Sequence, residues 1–440
     1  MSNKRYYYWT CMLLLPLFLS CRSRQALQTP GSSTPMDALA ELTRMENRHP
    51  AAGMPPGPEA SEQPSAAQGS AGFWQTNLQQ ALAALCKDTL TRTSQLGICV
   101  HDLTDDTPLF SYNALHRMRP ASCQKLVTAI TALRCLGPDY QLQTRLYVDG
   151  STRGGTLGGN VYIVGGMDPL LSAQDVKEMA NALRQAGIRR ITGHVYKDLS
   201  MTDGEPYGWG WCWDDDYGPL GALLIDGKAN FDAVWVRQLK AAQVTASHPT
   251  PREGILPASA SLIHTVAHPI GQLMVPMMKE SDNILAECLF YQIAALGGKK
   301  KASRKDAAAL VKCVIRDAGA DESSVIVADG SGLSLYNYIS PQVFVDLLRM
   351  AYQDQPIYQA LMPTMPIAGV DGTLEKRMNA TPAFRQVWAK TGSVEGVSSL
   401  SGYAHAANGH LLAFCIINQG ISRFRSAREF QDRVCDLLCK

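Results

Sequence analysis

Three short stretches carry residue types that can work together as a nucleophile, its base and an anion grip. Ser122 and Lys125, within Pro120-Ala121-Ser122-Cys123-Gln124-Lys125, stand three apart at the start of a predicted helix. Positions three apart share a helix face, so the hydroxyl and the amine stack near the positive N-terminal end. A serine hydroxyl is a weak nucleophile until a base takes its proton, and a partly buried lysine with a lowered pKa can be that base. Alone the pair is weak evidence, because a helix-capping serine and a surface lysine look the same. Ser281-Asp282-Asn283, between helical stretches, adds a second hydroxyl for proton shuttling and an amide suited to gripping a substrate amide. Lys390-Thr391-Gly392-Ser393 falls in a strand pattern, where an ammonium and a hydroxyl can bind a carboxylate. Gly392 there lets a substrate backbone lie close beside the strand.

The elements that must position these groups read as α+β. The 440 residues, 46% hydrophobic and 18% charged, exceed what one compact core usually holds, so a second domain or an insertion is expected. Trp74, Leu78, Leu82 and Leu85 recur at helical spacing, followed by strand-like runs Leu96 to Leu103 and Pro108 to Tyr112. A stronger helix runs from Cys123 to Leu136, and strands near Gln143 to Val148 and Gly159 to Val164 flank the turn Arg153-Gly154-Gly155. Helical patterns return at Ala173 to Ala186, Ile270 to Leu296 and Arg304 to Ala318. Gln386 to Thr391, Ser398 to Ala404 and Leu411 to Asn418 read as consecutive antiparallel strands, and Phe424 to Leu438 as an amphipathic helix. The N- and C-terminal parts are expected to share one sheet.

The ordered trio Ser-x-x-Lys, Ser-Asp-Asn and Lys-Thr-Gly resembles the signature of penicillin-binding proteins and class A β-lactamases. Longer stretches resemble D-alanyl-D-alanine carboxypeptidases of the penicillin-binding protein 4 type: Arg119 to Gly137, Gly159 to Pro169, Asp329-Gly330-Ser331-Gly332-Leu333-Ser334, and Pro366 to Leu374. The resemblance spans residues 73 to 440. It implies a β-lactamase/transpeptidase-like fold, an antiparallel sheet flanked by helices plus a helical subdomain. It also implies an acyl-enzyme on Ser122, with Lys125 as general base and no metal or organic cofactor. By the same resemblance Ser281 and Lys390 relay a proton to the leaving amine, and Asn283 orients the acyl side chain. Backbone N–H groups of Ser122 and Ser393 form the oxyanion hole, while Thr391 and Lys390 hold the substrate carboxylate. The implied substrates are D-Ala-D-Ala or D-amino-acid cross-links of peptidoglycan stem peptides, with β-lactam antibiotics as covalent inhibitors. A serine β-lactamase, or a wall-binding protein without turnover, are the alternatives.

This chain departs from the family pattern in places. Ser281 follows Ser122 by 159 residues, shorter than the full family, so an inserted subdomain is expected to be reduced. Met167 stands where a third glycine is usual, and Cys123 beside the nucleophile where a hydroxyl or aliphatic residue is expected. The expected division is a first catalytic part over 73–158, an insertion over 159–260 and a second catalytic part over 261–440.

Lys4 and Arg5 precede an apolar stretch through Leu19, the pattern of a secretory signal over residues 1–20. Phe18-Leu19-Ser20-Cys21 resembles a bacterial lipobox, making Cys21 a lipidation site and the protein a periplasmic lipoprotein held to a membrane by its N-terminal anchor. An ordinary cleaved signal with an incidental cysteine is the plainer reading. Residues 21–72, rich in Pro, Gly, Ser, Ala and Gln apart from a helical-looking patch near Met36 to Arg48, read as a flexible tether.

Composition removes other classes. With 41 basic and 39 acidic side chains the chain lacks the electrostatic footprint of a nucleic-acid binder. No clean apolar run of membrane-spanning length follows the N-terminus. Twelve cysteines are scattered without the C-x-x-C spacing of a zinc or thioredoxin-like site, and an extracytoplasmic address would permit disulfides. The cluster Gly208 to Gly218, dense in Trp and Asp, fits neither a dinucleotide loop nor an EF-hand; it reads as a packed loop or a flank of the cleft. His264 and His268 could share a helical face but lack a third ligand. Gly330-Ser331-Gly332 reads as a turn, and Lys299-Lys300-Lys301 as a solvated loop.

Overall fold

A computed structural model describes residues 67–440, apart from positions 213, 214, 216, 217 and 229 and the side chains of 67–72. The signal segment 1–20, the lipidation site Cys21, the patch Met36 to Arg48 and the tether up to residue 66 lie outside the described residues.

Helix α1 (Ala67–Leu85) starts six residues before the expected Phe73 and leads into the hairpin β1 (Gln95–Asp102) and β2 (Thr107–Tyr112). Helix α2 (Gln124–Leu136) follows, entered through a single 3-10 turn at Ala121–Cys123. The chain then builds a second sheet from β3 (Gln141–Arg153), β4 (Thr156–Val164), helix α3 (Ala173–Gln185), β5 (Arg190–Asp198), helix α4 (Phe231–Ala241), β6 (Thr245–Glu253) and β7 (Ser261–Pro269). Helices α5 (Ile270–Lys279), α6 (Asn283–Ala294), α7 (Arg304–Asp317), α8 (Pro341–Gln353) and α9 (Gln355–Leu361) return to the first body. Strands β8 (Val387–Val394), β9 (Val397–His405) and β10 (Leu411–Gln419) and helix α10 (Phe424–Leu438) complete it.

The first sheet has the order β2-β1-β10-β9-β8, all antiparallel. Gln95 pairs with Gln419, so the two ends of the described chain close one sheet, as the sequence leads one to expect. Strands β9 and β10 are buried along nearly their whole length, because both faces of the sheet are covered. On one face α10 turns Phe430, Val434, Cys435 and Leu438 inward beside Leu78 and Leu82 of α1. Each large apolar side chain buried there contributes about 1.5–3 kcal/mol. On the other face α2 is enclosed by α6, α7, α8 and α9, and is buried from Gln124 through Leu133.

The second sheet has the order β6-β5-β4-β3-β7. β4, β5 and β6 run parallel through the α3 and α4 crossovers, the connection a parallel pair requires. The sheet extends past the expected insertion 159–260: β3, between β4 and β7, and the edge strand β7 hydrogen-bond into it, so it occupies Gln141 to Pro269. His264 and His268 lie on β7, a strand and not the helix considered for them, and His268 Nδ1 bonds Asp168 Oδ2 at 2.6 Å. No disulfide links the ten cysteines among the described residues.

Candidate active site

The local sequence at Ser122 holds the nucleophile turn under tension. Ala121 has φ +49°, in the region that disfavours side chains, and the turn that carries it places Ser122 immediately before α2. It is clamped from two sides. Gly332, itself at φ +81°, approaches so closely that a Cβ there would stand 1.9 Å from Ala121 O. Ser399 Oγ donates to Pro120 O at 2.6 Å, and the Cys123 thiol donates to Lys390 O at 3.1 Å. Cys123 thus stitches the nucleophile turn to β8, and burial pushes its thiol up to about 11.

Lys125, the second residue of α2, is wholly buried. Its Nζ lies 3.1 Å from Ser122 Oγ, 2.5 Å from Asn283 Oδ1 and 2.8 Å from the main-chain oxygen of Ser331. Burial, followed by the positive charge of Lys390, lowers its pKa from 10.5 to about 7. Asp329, Glu287 and Asp282 oppose that shift.

The helical pattern expected over Ile270 to Leu296 is two helices, and the break between them carries Ser281 and Asp282. Ser281 takes φ +64°, and the Asp282 carboxylate caps α6 by accepting from Leu285 N at 3.0 Å. Asn283 becomes the first residue of α6 and aims its side-chain oxygen at Lys125. Ser281 Oγ meets Lys390 Nζ at 2.8 Å from the other side. Lys390, also wholly buried, donates its second bond to Thr391 O at 2.8 Å, and burial lowers its pKa to about 8.

β8 is the edge strand of its sheet and borders a cleft of about 540 Å³ lined by Ser122, Ser281, Thr373, Lys376, Arg377, Thr391, Ser393 and Arg428. Thr391 Oγ1 donates to Thr373 Oγ1 at 2.8 Å, and Arg428 of α10 reaches Ser393 Oγ at 3.4 Å. Arg377 lies at the cleft wall but is committed to Asp432 at 2.6 Å and to Arg428 O at 3.1 Å. Both lysines lie beneath the cleft floor, so its open cations are Lys376 and Arg428.

Ser122, Lys125, Ser281, Asn283, Lys390, Thr391, Gly392 and Ser393 lie together, with two changes of neighbour, while Cys21 lies outside the described residues. Asn283 Oδ1 serves Lys125, and Gly392 faces protein: a Cβ there would meet Pro120 O at 2.7 Å and Cys123 N at 2.9 Å. Sequence reasoning missed Thr373, Arg428, Glu287 and the Ser331 carbonyl. Glu287 had a signal, since it follows Asn283 by four and shares its face of α6. The Gly208 to Gly218 loop packs inward through Trp211, whose Nε1 donates to Asp329 Oδ2 at 2.9 Å, while the Trp209 ring lies tilted against Tyr336, with centroids 4.6 Å apart. Trp213, Asp214, Asp216 and Tyr217 of that loop lie outside the described residues.

The D-Ala-D-Ala carboxypeptidase 3 (S13) family model matches residues 78–226 and 224–438, most of the chain and all three motifs. The chain belongs to that family. This S13 peptidase is 27% identical to the D-alanyl-D-alanine carboxypeptidase DacB of Haemophilus influenzae, over 76% of this chain and 87% of that one. It is 30% identical to carboxypeptidase DacB of Mycolicibacterium smegmatis, over 73% of this chain and 76% of that one. The crystal structure of penicillin-binding protein 4 (dacB) from H. influenzae superposes with a TM-score of 0.68 at 25% identity, covering 82% of this chain and 97% of that one. That protein is also known complexed with a β-lactam, which matches with a TM-score of 0.66 at the same identity and coverages. The S13 peptidase described here therefore has the penicillin-binding-protein fold, an α+β architecture, and is a hydrolase of the D-Ala-D-Ala carboxypeptidase type.

Proposed function

We propose that this peptidase removes the terminal D-alanine from peptidoglycan stem peptides through an acyl-enzyme on Ser122. The observation that carries the reading is the contact of Ser122 Oγ, at 3.1 Å, with a wholly buried lysine whose pKa has fallen to about 7. At neutral pH about half of such lysines are free bases. Lys125 takes the Oγ proton as Oγ bonds the carbonyl carbon of the penultimate D-alanine. The backbone N–H groups of Ser122 and Ser393 hold the resulting oxyanion. The C–N bond then breaks, and the leaving amine receives a proton through the Ser281 hydroxyl, which Lys390 holds at 2.8 Å. Water later repeats the attack and frees Ser122.

Substrate lies along the β8 edge beside Thr391, Gly392 and Ser393. The terminal carboxylate meets Thr391, Ser393 and Arg428, because the Lys390 ammonium is turned inward to Ser281 Oγ and Thr391 O. A D-amino-acid cross-link whose leaving amine carries a carboxylate offers the same group, so DD-endopeptidase action belongs to the same reading. β-Lactams acylate Ser122 in this reading, in keeping with the H. influenzae relative complexed with one.

The same proposal covers the N-terminus: a signal over 1–20, lipid on Cys21, and a tether through about residue 66 that holds the peptidase in the periplasm against a membrane. No helix among the described residues is long and apolar enough to cross a membrane. The test is D-alanine release from a D-Ala-D-Ala peptide, with mass spectrometry of products from cross-linked muropeptides. No release by the intact protein, or undiminished release by Ser122→Ala, overturns the reading. A penicillin adduct that persists on Ser122 for many minutes separates it from a β-lactamase.

A further inference from the structure

The three neighbours of the Lys125 amine decide where its lone pair points. A neutral amine has two N–H bonds and one lone pair. Asn283 Oδ1 at 2.5 Å and Ser331 O at 2.8 Å are acceptors, so they consume both N–H bonds. The remaining tetrahedral position faces Ser122 Oγ at 3.1 Å, where the lone pair can take the hydroxyl proton. After the transfer, the ammonium donates to the same three oxygens without moving.

Asn283 is anchored on a helix, but the Ser331 carbonyl is a main-chain group in a loop, and its peptide must be held by something else. Glu287 does this. Its Oε1 accepts from Gly330 N at 3.0 Å and from Ser331 N at 2.9 Å, and the side chain is wholly buried. On the far side of the loop, Asp329 accepts from Gly332 N at 2.8 Å, Ser334 N at 2.7 Å and Asn337 Nδ2 at 2.7 Å. Two buried carboxylates thus grip the loop on either side of the one carbonyl that touches Lys125. A buried carboxylate is costly to keep for shape alone, since an amide or hydroxyl could accept the same bonds.

We propose that Glu287 is a positioning residue for acylation: by holding the Gly330–Ser331 main chain, it makes the Ser331 carbonyl the acceptor that turns the Lys125 lone pair toward Ser122. The inference rests on the reading of Ser122 as nucleophile and Lys125 as base. The charged and titratable groups around Glu287 are Arg304 of α7, whose Nε lies 3.5 Å from Oε2, Asp329 of the loop, Lys125 of α2, and Tyr291 and Cys288 of its own helix. Around Lys125 they are Lys390 of β8, Asp329, Glu287 and Asp282. Burial, then the charge of Asp329, raises Glu287 to about 7, so it gains its charge through the same range in which Lys125 loses its proton.

The experiment follows benzylpenicillin acylation of Ser122 in the full chain by stopped flow from pH 5.5 to 9, for wild type, Glu287→Gln and Glu287→Ala, with melting curves alongside. In Glu287→Gln the amide oxygen still accepts from both N–H groups while the negative charge is gone. Its plateau rate falls about three- to tenfold, and its acid limb moves to lower pH because Lys125 loses a group that helps it keep its proton. Glu287→Ala loses the grip as well, and its plateau falls about thirtyfold or more. A glutamate that serves stability alone would lower the melting temperature and leave the acid limb in place. Where Glu287→Ala does not fold, the acid limb of Glu287→Gln decides by itself. An unmoved limb in Glu287→Gln, or a wild-type plateau in folded Glu287→Ala, overturns the inference while the function stands. A wild type that is never acylated on Ser122 overturns the function, and this inference with it.

Discussion

Gly392→Ala separates two reasons for the glycine of the Lys-Thr-Gly motif. Read from sequence, Gly392 clears room for substrate. In the fold, a Cβ at this position stands 2.7 Å from Pro120 O, 2.9 Å from Cys123 N and 2.2 Å from Ser399 Oγ. The serine hydroxyl can rotate only by releasing its 2.6 Å bond to Pro120 O. The other two atoms are backbone, on either side of Ser122 in the nucleophile turn. Ordinary contact begins near 3.4 Å, so that turn must retreat by roughly 0.5 to 0.7 Å. Overpacking of this kind costs about 1–3 kcal/mol. Displacing a reacting group by about 1 Å costs on the order of a hundredfold in rate, so half that displacement costs roughly tenfold. The expected result is a melting temperature lowered by a few degrees, with kcat on a D-Ala-D-Ala peptide and the penicillin acylation rate both down about tenfold. KM should stay within about threefold of wild type. A variant that melts like wild type and loses only KM, selectively for peptide, refutes the packing argument and restores substrate clearance as the reason.

Two other outcomes follow from the same geometry. Acylation should rise with pH through a midpoint near 7, because Lys125 acts as a base only when neutral and burial beside Lys390 has brought it to about 7. An ordinary lysine would be neutral in only about one molecule in three thousand at pH 7. Above about 8, where Lys390 loses its proton, the rate should fall again, and a stopped-flow profile flat from pH 5.5 to 9 contradicts both assignments. Arg428→Gln should lower the preference for a free terminal carboxylate over its carboxamide by about three- to fivefold, modest because the guanidinium is exposed. The ratio of kcat/KM for D-Ala-D-Ala and D-Ala-D-alaninamide peptides measures this, and an unchanged ratio removes Arg428 from carboxylate recognition.

Much of the first sheet and its helices was legible because one rule governs each element. β1 and β10 are short, largely apolar runs, β8 and β9 are short strands joined by a tight turn, and α10 keeps a strict inward stripe from Ala427 to Leu438. The second sheet was only partly legible. β5 mixes Arg190, Thr192, His194 and Lys197 into a strand whose inward set is Ile191 and Val195, too few residues for alternation to stand out. β6 carries two prolines and sits at a sheet edge, the place where a strand tolerates them. The helical pattern over Ile270 to Leu296 hid its own interruption, since Ser281 and Asp282 are polar residues that a solvent-facing helix position would also accept. Only the left-handed Ser281 and the Asp282 cap divide it.

The active site shows a different limit. Side chains have letters, and Ser122, Lys125, Ser281, Asn283, Lys390 and Thr391, to which the proposed reaction is assigned, are named by motif and spacing. What aims them is largely main chain: the Ser331 carbonyl against Lys125, the Thr391 carbonyl against Lys390, and the Pro120 carbonyl against Ser399. A carbonyl has no identity in sequence, so its importance shows only through the residues forced to accommodate it. Gly332 and Gly392 are such residues, each pressed against the nucleophile turn, and Glu287 and Asp329 are such carboxylates, each buried to hold backbone N–H groups. A glycine or a carboxylate inside a catalytic motif therefore needs two explanations weighed against each other, contact with substrate and support of a main-chain acceptor. At Gly392 the distances to Pro120 and Cys123 favour support.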